Sequence, residues 1–314
     1  MKEKLLTILG PTGIGKTSVS LEVAKNLNGE IISCDSMQIY KYMDIGTAKI
    51  TNENMNNIPH YLIDIVYPSD EFTVHDYKLK AEEYIYNINF RNKLPILVGG
   101  TGLYLNSIVY ELKFTNVEPN MKLREKYDQI ADEYGNEKLY DKLVKIDPLS
   151  AENININDRK RIIRALEIFN ETGKPMSNYN KDFRKESNKY DLIMIGLTID
   201  RPILYSRINN RVDKMFEMGL VEEVEGLLNM GYSKDLISMK AIGYKEIIPY
   251  IEGKASLEET VELLKRNTRR YAKRQLTWFR RDKRIKWIDV GQFNSLQSIG
   301  KFISDYAEGE LIYN

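Results

Sequence analysis

The sequence predicts an α/β fold: a parallel sheet with helices on both faces, interrupted by a helical insertion. Three observations predict it. Short apolar stretches that end in Gly, Pro or Asp alternate with stretches of helical period, the pattern of strand–helix–strand units. The first apolar stretch runs directly into a glycine loop that opens a helix. Residues 121–189, polar and rich in Lys, Glu, Asn and Tyr, break the alternation with a mostly helical pattern.

Leu5 to Leu9 is short, apolar and followed by Gly and Pro, so it reads as a buried strand. Val19, Val23 and Leu27 recur at helical spacing, and Asn28-Gly29 ends that helix. Ile31 to Cys34 is a second strand ending at Asp35; Tyr61 to Val66 is a third; Leu94 to Val98 is a fourth, closed by Gly99-Gly100. After the insertion, "DLIMIGLT" at 191–198 returns to the sheet, and helices follow near 203–217 and 220–230. A long helix runs from Ser256 to about Arg280. Ser256 with Glu259 three residues on is a capping box. Its predicted buried face is Leu257, Val261, Leu264, Thr268, Ala272, Leu276 and Phe279. Ile285 to Val290 is the last strand. The domains are therefore 1–120 with 190–314 as the core, and 121–189 as the insertion.

Composition narrows the function classes. The 314 residues hold 46 Lys or Arg against 45 Asp or Glu, a net charge of +1. The balance hides a segregation: between Lys265 and Lys286 stand eleven basic residues and one acid, Asp282, which leaves 35 basic and 44 acidic residues elsewhere. A basic stretch on an acidic body points to a polyanionic partner. The lone Cys34 excludes an internal disulfide, and too few Cys and His stand at metal spacing for a zinc site. No run reaches the roughly 20 apolar residues of a membrane helix, and the start lacks a signal-peptide cleavage site. A cytoplasmic protein without a membrane partner is expected.

The glycine loop carries the chemistry. Gly10, Pro11, Thr12, Gly13, Ile14, Gly15, Lys16 and Thr17 fit G-x-x-x-x-G-K-[ST] between a strand and a helix, which makes the sheet P-loop-type. Glycines let the backbone curl so that N–H groups point inward, and the helix N-terminus adds its positive end. Lys16 brings a point charge; Thr17 is a Mg²⁺ ligand candidate. The pattern identifies a diphosphate without saying what carries it. A phosphate-hydrolysing enzyme of this type adds an apolar strand ending in a metal-holding Asp. Here "PILVGGT" has no acid, and Asp64 follows a polar stretch, so transfer gains over hydrolysis. Ligands of parallel sheets sit at the carboxyl ends of the strands, where the loop, Asp35 and Thr101 would converge.

Taken together, "GPTGIGKT", "ISCDSMQIYKYMDIGTAK" and "GGTGLYLNSIVY" closely resemble one family, the tRNA dimethylallyltransferases or tRNA isopentenyltransferases, in its compact bacterial form. The resemblance continues in order through "NDRKRIIRALEIF", "RINNRVDKMFEMGLVEEV", "KAIGYKEI" and "AKRQLTWFRRD", nearly the whole chain. It implies transfer of the dimethylallyl group from its diphosphate to the exocyclic N6 of the adenine 3′ of a tRNA anticodon, by a monomer using Mg²⁺. The loop would then hold a prenyl diphosphate in place of ATP. Asp35 matches the family's general base. Thr101 matches a residue near the transfer site, and Arg207 an arginine gripping the diphosphate, its neighbour Arg211 standing without that assignment.

The resemblance also implies a surface for the anticodon stem-loop. Asp35, Ser36, Met37, Gln38 and Thr101 would meet the tRNA at the transfer site. Arg159, Lys160, Arg161, Ile162 and Ile163 form a second segment; Lys240, Gly243, Tyr244 and Lys245 a third. Lys273, Arg274, Gln275, Thr277, Trp278 and Arg280 form a fourth, with Gln275 and Thr277 able to read base edges and Trp278, on an aromatic helix face, reading as core before stacking platform; Arg124 is a further contact. Arg161 and Arg164 lie off the apolar stripe of their helix and can reach phosphates. Many relatives carry Gln where this chain has Lys160, which leaves a phosphate role there. Cys34 reads as a buried structural thiol, and His60 and His75 carry no assignment. Two other readings stay open: a small-molecule kinase or isopentenyltransferase acting on free adenine nucleotides, and a non-catalytic tRNA binder. Neither needs the basic stretch, the insertion and the complete loop together.

Overall fold

A computed structural model describes residues 2–112, 115, 117–180 and 185–313. Among the described residues the strands are β1 (Glu3–Leu9), β2 (Gly29–Cys34), β3 (His60–Tyr61), β4 (Leu94–Gly99), β5 (Tyr190–Thr198) and β6 (Lys286–Asp289). They form one parallel sheet in the order β3-β2-β4-β1-β5-β6. The helices are α1 (Lys16–Asn26), α2 (Val74–Phe90), α3 (Gly102–Val109), α4 (Met121–Tyr134), α5 (Asn136–Ile146), α6 (Pro148–Asn153), α7 (Arg159–Thr172), α8 (Ser177–Asn180), α9 (Arg201–Glu217), α10 (Leu220–Asn229), α11 (Ile248–Ile251), α12 (Leu257–Phe279) and α13 (Leu296–Tyr313). Among the described residues no helix is long and apolar enough to cross a membrane.

The chain divides into two compact units, Met1–Val109 with Asn188–Asn314, and Tyr110–Ser187. The smaller unit thus starts eleven residues before Met121. Its ends are tied by a bridge between Tyr110 and Glu186 and by the N–H of Glu111 donating to the Lys185 carbonyl at 2.8 Å. Residues 181–184 of the predicted insertion lie outside the described residues. Within this unit Tyr127, Leu139, Leu143, Ile162, Ala165 and Leu166 form a core of their own. Asp158 caps α7, and Gly173 ends it in the left-handed region.

In the larger unit the central strands are buried along their length because helices cover both faces. β1 lies between β4 and β5, with Leu9 level with Gly99 on one side and Gly196 on the other. Cys34 is level with Gly99, so β1, β2 and β4 end together. Their carboxyl ends flank the point where the strand order reverses, the expected ligand crevice of such sheets.

Four elements differ from the sequence reading. The strand expected over Tyr61 to Val66 is only His60–Tyr61, because Leu62 and Asp64 take positive φ (61° and 55°) and turn the chain. Val66 keeps one bridge, to Tyr40. On α12 the capping box of Ser256 and Glu259 forms, but the buried face is Thr260, Leu264, Ala272, Gln275 and Phe279, while Leu257 is exposed. The chain also forms α2 and α13, which the sequence reading did not delimit.

Candidate active site

The phosphate loop takes its shape from its glycines. Gly10, Gly13 and Gly15 sit at φ 152°, 79° and 100°, backbone that side chains rarely adopt. A Cβ on Gly10 would stand 2.9 Å from the Leu197 carbonyl oxygen of β5, and one on Gly13 2.9 Å from Ile208 of α9. Gly15 caps α1 without any side-chain bond, so the first-turn amides face outward as an anion site. Lys16 Nζ donates to the carbonyls of Gly10 and Pro11, both at 3.0 Å. Burial pulls the Lys16 amine down to about 8; Asp35 opposes this, and Arg211 adds to it.

Asp35 follows β2 directly and Thr101 follows the Gly99-Gly100 end of β4. The Ser36 N–H donates to Thr101 Oγ1 at 3.0 Å, and the Thr101 N–H to the Cys34 carbonyl at 3.0 Å. Asp35 Oδ1 accepts the Met37 N–H at 2.9 Å, which orients the carboxylate. Beneath it, burial pushes the Cys34 thiol up to about 12, an inert group. Tyr77 and Tyr104 stack behind it at 3.9 Å.

Two cavities meet at Asp35. The first holds the loop residues Thr12, Gly13, Gly15, Lys16 and Thr17, with Asp35, Arg211, Tyr271 and the apolar Ile31, Ile50, Ile63 and Val98. The second shares Thr12, Asp35, Arg211 and Tyr271 and adds Ser36, Met37, Lys240, Lys245 and Arg274. One cavity therefore joins phosphate donors to an apolar wall, and the other is rimmed with cations.

Arg211, which the sequence sets beside Arg207 without an assigned role, lines both cavities; burial lowers its guanidinium and Asp35 opposes the shift. Arg207, one turn earlier on α9, is exposed, with Nη1 3.5 Å from the Ile14 carbonyl. His60 lines the first cavity with its imidazole lowered by burial and bonded to the Ile58 carbonyl. No sequence signal pointed to it, because it acts as wall beside Ile63. Among the described residues no cluster of three His, Cys, Asp or Glu side chains could hold a metal by itself.

Several residues expected on an RNA surface are elsewhere. Ile162 and Ile163 are buried in the smaller unit's core. Tyr244 is fully buried with its hydroxyl on Glu223, and Gly243 is buried with its N–H on Glu246. Gln275 is 6% exposed and its amide is bonded at both ends, to the Thr12 N–H and the Gly100 carbonyl. Trp278 packs over Gly102, where a Cβ would stand 2.2 Å from the indole. Arg124 and Arg164 both grip the buried Glu167, and Arg164 also donates to the Val117 carbonyl. Arg159 is paired with Asp132. The exposed cations of the predicted segments are Lys160, Arg161, Lys240, Lys245, Lys273, Arg274 and Arg280, and Thr277 is exposed with them.

A glycine loop that opens beside a strand-end carboxylate on a parallel sheet defines an α/β protein with a phosphate-loop motif. The chain belongs to the IPP transferase family, whose sequence profile matches residues 38–282. It is 52% identical to the tRNA dimethylallyltransferase of Thermoanaerobacter sp. (strain X514) over 99% of both chains. It is also 52% identical to that of Acetivibrio thermocellus over 97% of both. Among solved structures it matches the tRNA isopentenylpyrophosphate transferase of Bacillus halodurans at 45% identity, TM-score 0.72, over 99% of both chains. A eukaryotic dimethylallyltransferase acting on tRNA matches at 30% identity and TM-score 0.81, over 96% of this chain and 80% of that one.

Proposed function

We propose that this chain transfers the dimethylallyl group of dimethylallyl diphosphate to the exocyclic N6 of the adenine on the 3′ side of a tRNA anticodon. One observation carries the reading: Asp35 stands where a phosphate-binding cavity with an apolar wall meets a second cavity rimmed by Lys240, Lys245 and Arg274. The first suits a prenyl diphosphate and the second a flipped-out base whose flanking phosphates need cations.

The loop amides, Lys16 and Arg211 bind the diphosphate and stabilise the negative charge that grows on it as the allylic C–O bond breaks. N6 forms the new C–N bond. That nitrogen becomes strongly acidic, and Asp35 takes its proton. Thr17, in the first turn of α1, would hold Mg²⁺ together with diphosphate oxygens. A lone hydroxyl suits an ion that keeps several waters and takes its other ligands from the substrate. The ion supplies further charge neutralisation of the leaving group. The reading places the enzyme in the cytoplasm as a monomer, with Lys273, Arg274 and Arg280 on tRNA phosphates.

Transfer of radiolabelled dimethylallyl diphosphate, with Mg²⁺, tests it on three acceptors: unmodified tRNA, the same tRNA lacking that adenine, and free adenine nucleotides. Label on the intact tRNA alone is expected. Label on free nucleotides would make it a small-molecule prenyltransferase, and label on none would overturn the reading.

A further inference from the structure

Gln275 belongs to the long basic helix, yet it points away from the exposed Lys273, Arg274 and Thr277 on either side of it. Its side chain enters the crevice between β1 and β4. Oε1 accepts the Thr12 N–H at 2.9 Å and Nε2 donates to the Gly100 carbonyl at 3.0 Å. Both ends of one buried amide are thus used, one on the phosphate loop and one on the strand end that leads to Thr101. Lys16 Nζ ties the Gly10 and Pro11 carbonyls, both at 3.0 Å, but the middle of the loop has few other ties. The Ile14 N–H reaches the Pro11 carbonyl at 3.4 Å, and Arg207 reaches the Ile14 carbonyl at 3.5 Å, both long contacts. Three glycines at positive φ leave its backbone few steric limits. Gly100 is what admits the amide: a Cβ there would lie 2.1 Å from Gln275 Nε2.

We infer that Gln275 is a positioning residue of the phosphate loop. It holds the Thr12 peptide so that the remaining loop amides converge on the diphosphate, and it does so from the same helix that carries Arg274 at the rim of the second cavity. Pre-setting those amides spares the ordering cost that each binding event would otherwise carry. The inference rests on the proposed function, and its chemistry is specific: Gln275 serves the diphosphate and leaves the RNA untouched.

The test measures two affinities with Mg²⁺ present: inorganic pyrophosphate by calorimetry, and an anticodon stem-loop RNA by filter binding. Gln275→Met keeps length and apolar bulk but removes both hydrogen bonds. Gly100→Ala displaces the same amide without changing it. Each variant should weaken pyrophosphate about tenfold, the scale of one lost positioning bond, with RNA affinity within about twofold. The double variant should be little worse than either single one, since both remove one interaction. RNA affinity falling alone would make Gln275 a base reader and overturn the inference. Parallel loss of both affinities would make it scaffold and overturn it as well, as would no change. Wild-type protein that binds no pyrophosphate would overturn the functional reading itself, and the inference with it.

Discussion

Tyr244 donates its hydroxyl to the carboxylate of Glu223 at 2.6 Å, deep beneath the second cavity. The same carboxylate receives three successive backbone N–H groups, from Asp44 (2.9 Å), Ile45 (2.7 Å) and Gly46 (3.0 Å). The ring lies so close to Gly46 that a Cβ there would stand 2.5 Å from it. Glu223 thereby fastens to α10 the segment that brings Met37, Gly46 and Thr47 to the cavity wall. Burial first, and then Glu223, push the phenol well above its usual range, so it stays a donor.

Glu223→Gln would set an NH₂ group against those donors. It should cost about 2–4 kcal/mol of stability, and Tyr244→Phe about 1–2 kcal/mol, both read as lowered denaturant midpoints. Because Tyr244 is buried, Tyr244→Phe should leave the salt dependence of tRNA binding unchanged. A flattened slope would return Tyr244 to the RNA interface.

Asp35→Asn keeps the shape of the side chain and its acceptor for Met37 N–H, but removes the base. Single-turnover transfer should slow by about 10²–10⁴-fold while tRNA affinity stays within about twofold. A variant of normal rate would remove Asp35 as the proton acceptor.

Lys16 gives a pH signature. Its amine falls from 10.5 to about 8 in the folded chain, so pyrophosphate affinity should decline as pH rises above about 8. Lys16→Arg should move that decline to higher pH. Linkage has the opposite sign for folding: between pH 8 and 10.5 the unfolded chain binds the proton and the folded chain does not, so this group's contribution to stability rises with pH there. Pyrophosphate affinity that stays flat up to pH 10 would show that Lys16 keeps its charge.

Arg274 is exposed at the rim of the second cavity. Arg274→Ala should weaken tRNA binding and lower the slope of log K against log salt by about 0.7–0.9, the value of one phosphate contact. Binding isotherms across a salt series measure this; an unchanged slope would place Arg274 outside the interface.

Glu167 anchors the smaller unit. It is fully buried and accepts from Arg124, Arg164 and the Asn120 N–H. Burial pushes its carboxyl up, but the bonds from Arg124 and Arg164 outweigh this and hold it below the ordinary range. Glu167→Ala strands two arginines and should cost about 3–5 kcal/mol. In the wild type the contribution is complete above the ordinary carboxylate pKa and is lost as pH falls through the depressed one. Helical signal from this unit that is insensitive to the substitution would refute the anchor.

The amino-acid sequence by itself determined the features that are local. The glycines at 10, 13 and 15 encode a loop backbone that other residues resist, the Ser256–Glu259 box starts α12, and the apolar runs mark β1, β2, β4 and β5. With the sheet rule they also placed Asp35 and Thr101 at one crevice. Only the tertiary structure decided which way the side chains beyond that crevice turn. Arg207 and Arg211 stand one turn apart on α9, and the packing of α9 against the loop selects Arg211 for the cavities. Gln275 and Tyr244 belong to segments that resemble an RNA-gripping surface, yet each is buried because a distant partner, Gly100 or Glu223, supplies what its polar atoms need. Helix and turn signals are written in neighbouring residues, whereas the direction of a polar side chain is settled by whichever remote element can satisfy it in a dry place, and nothing local to residue 275 records that Thr12 will be there.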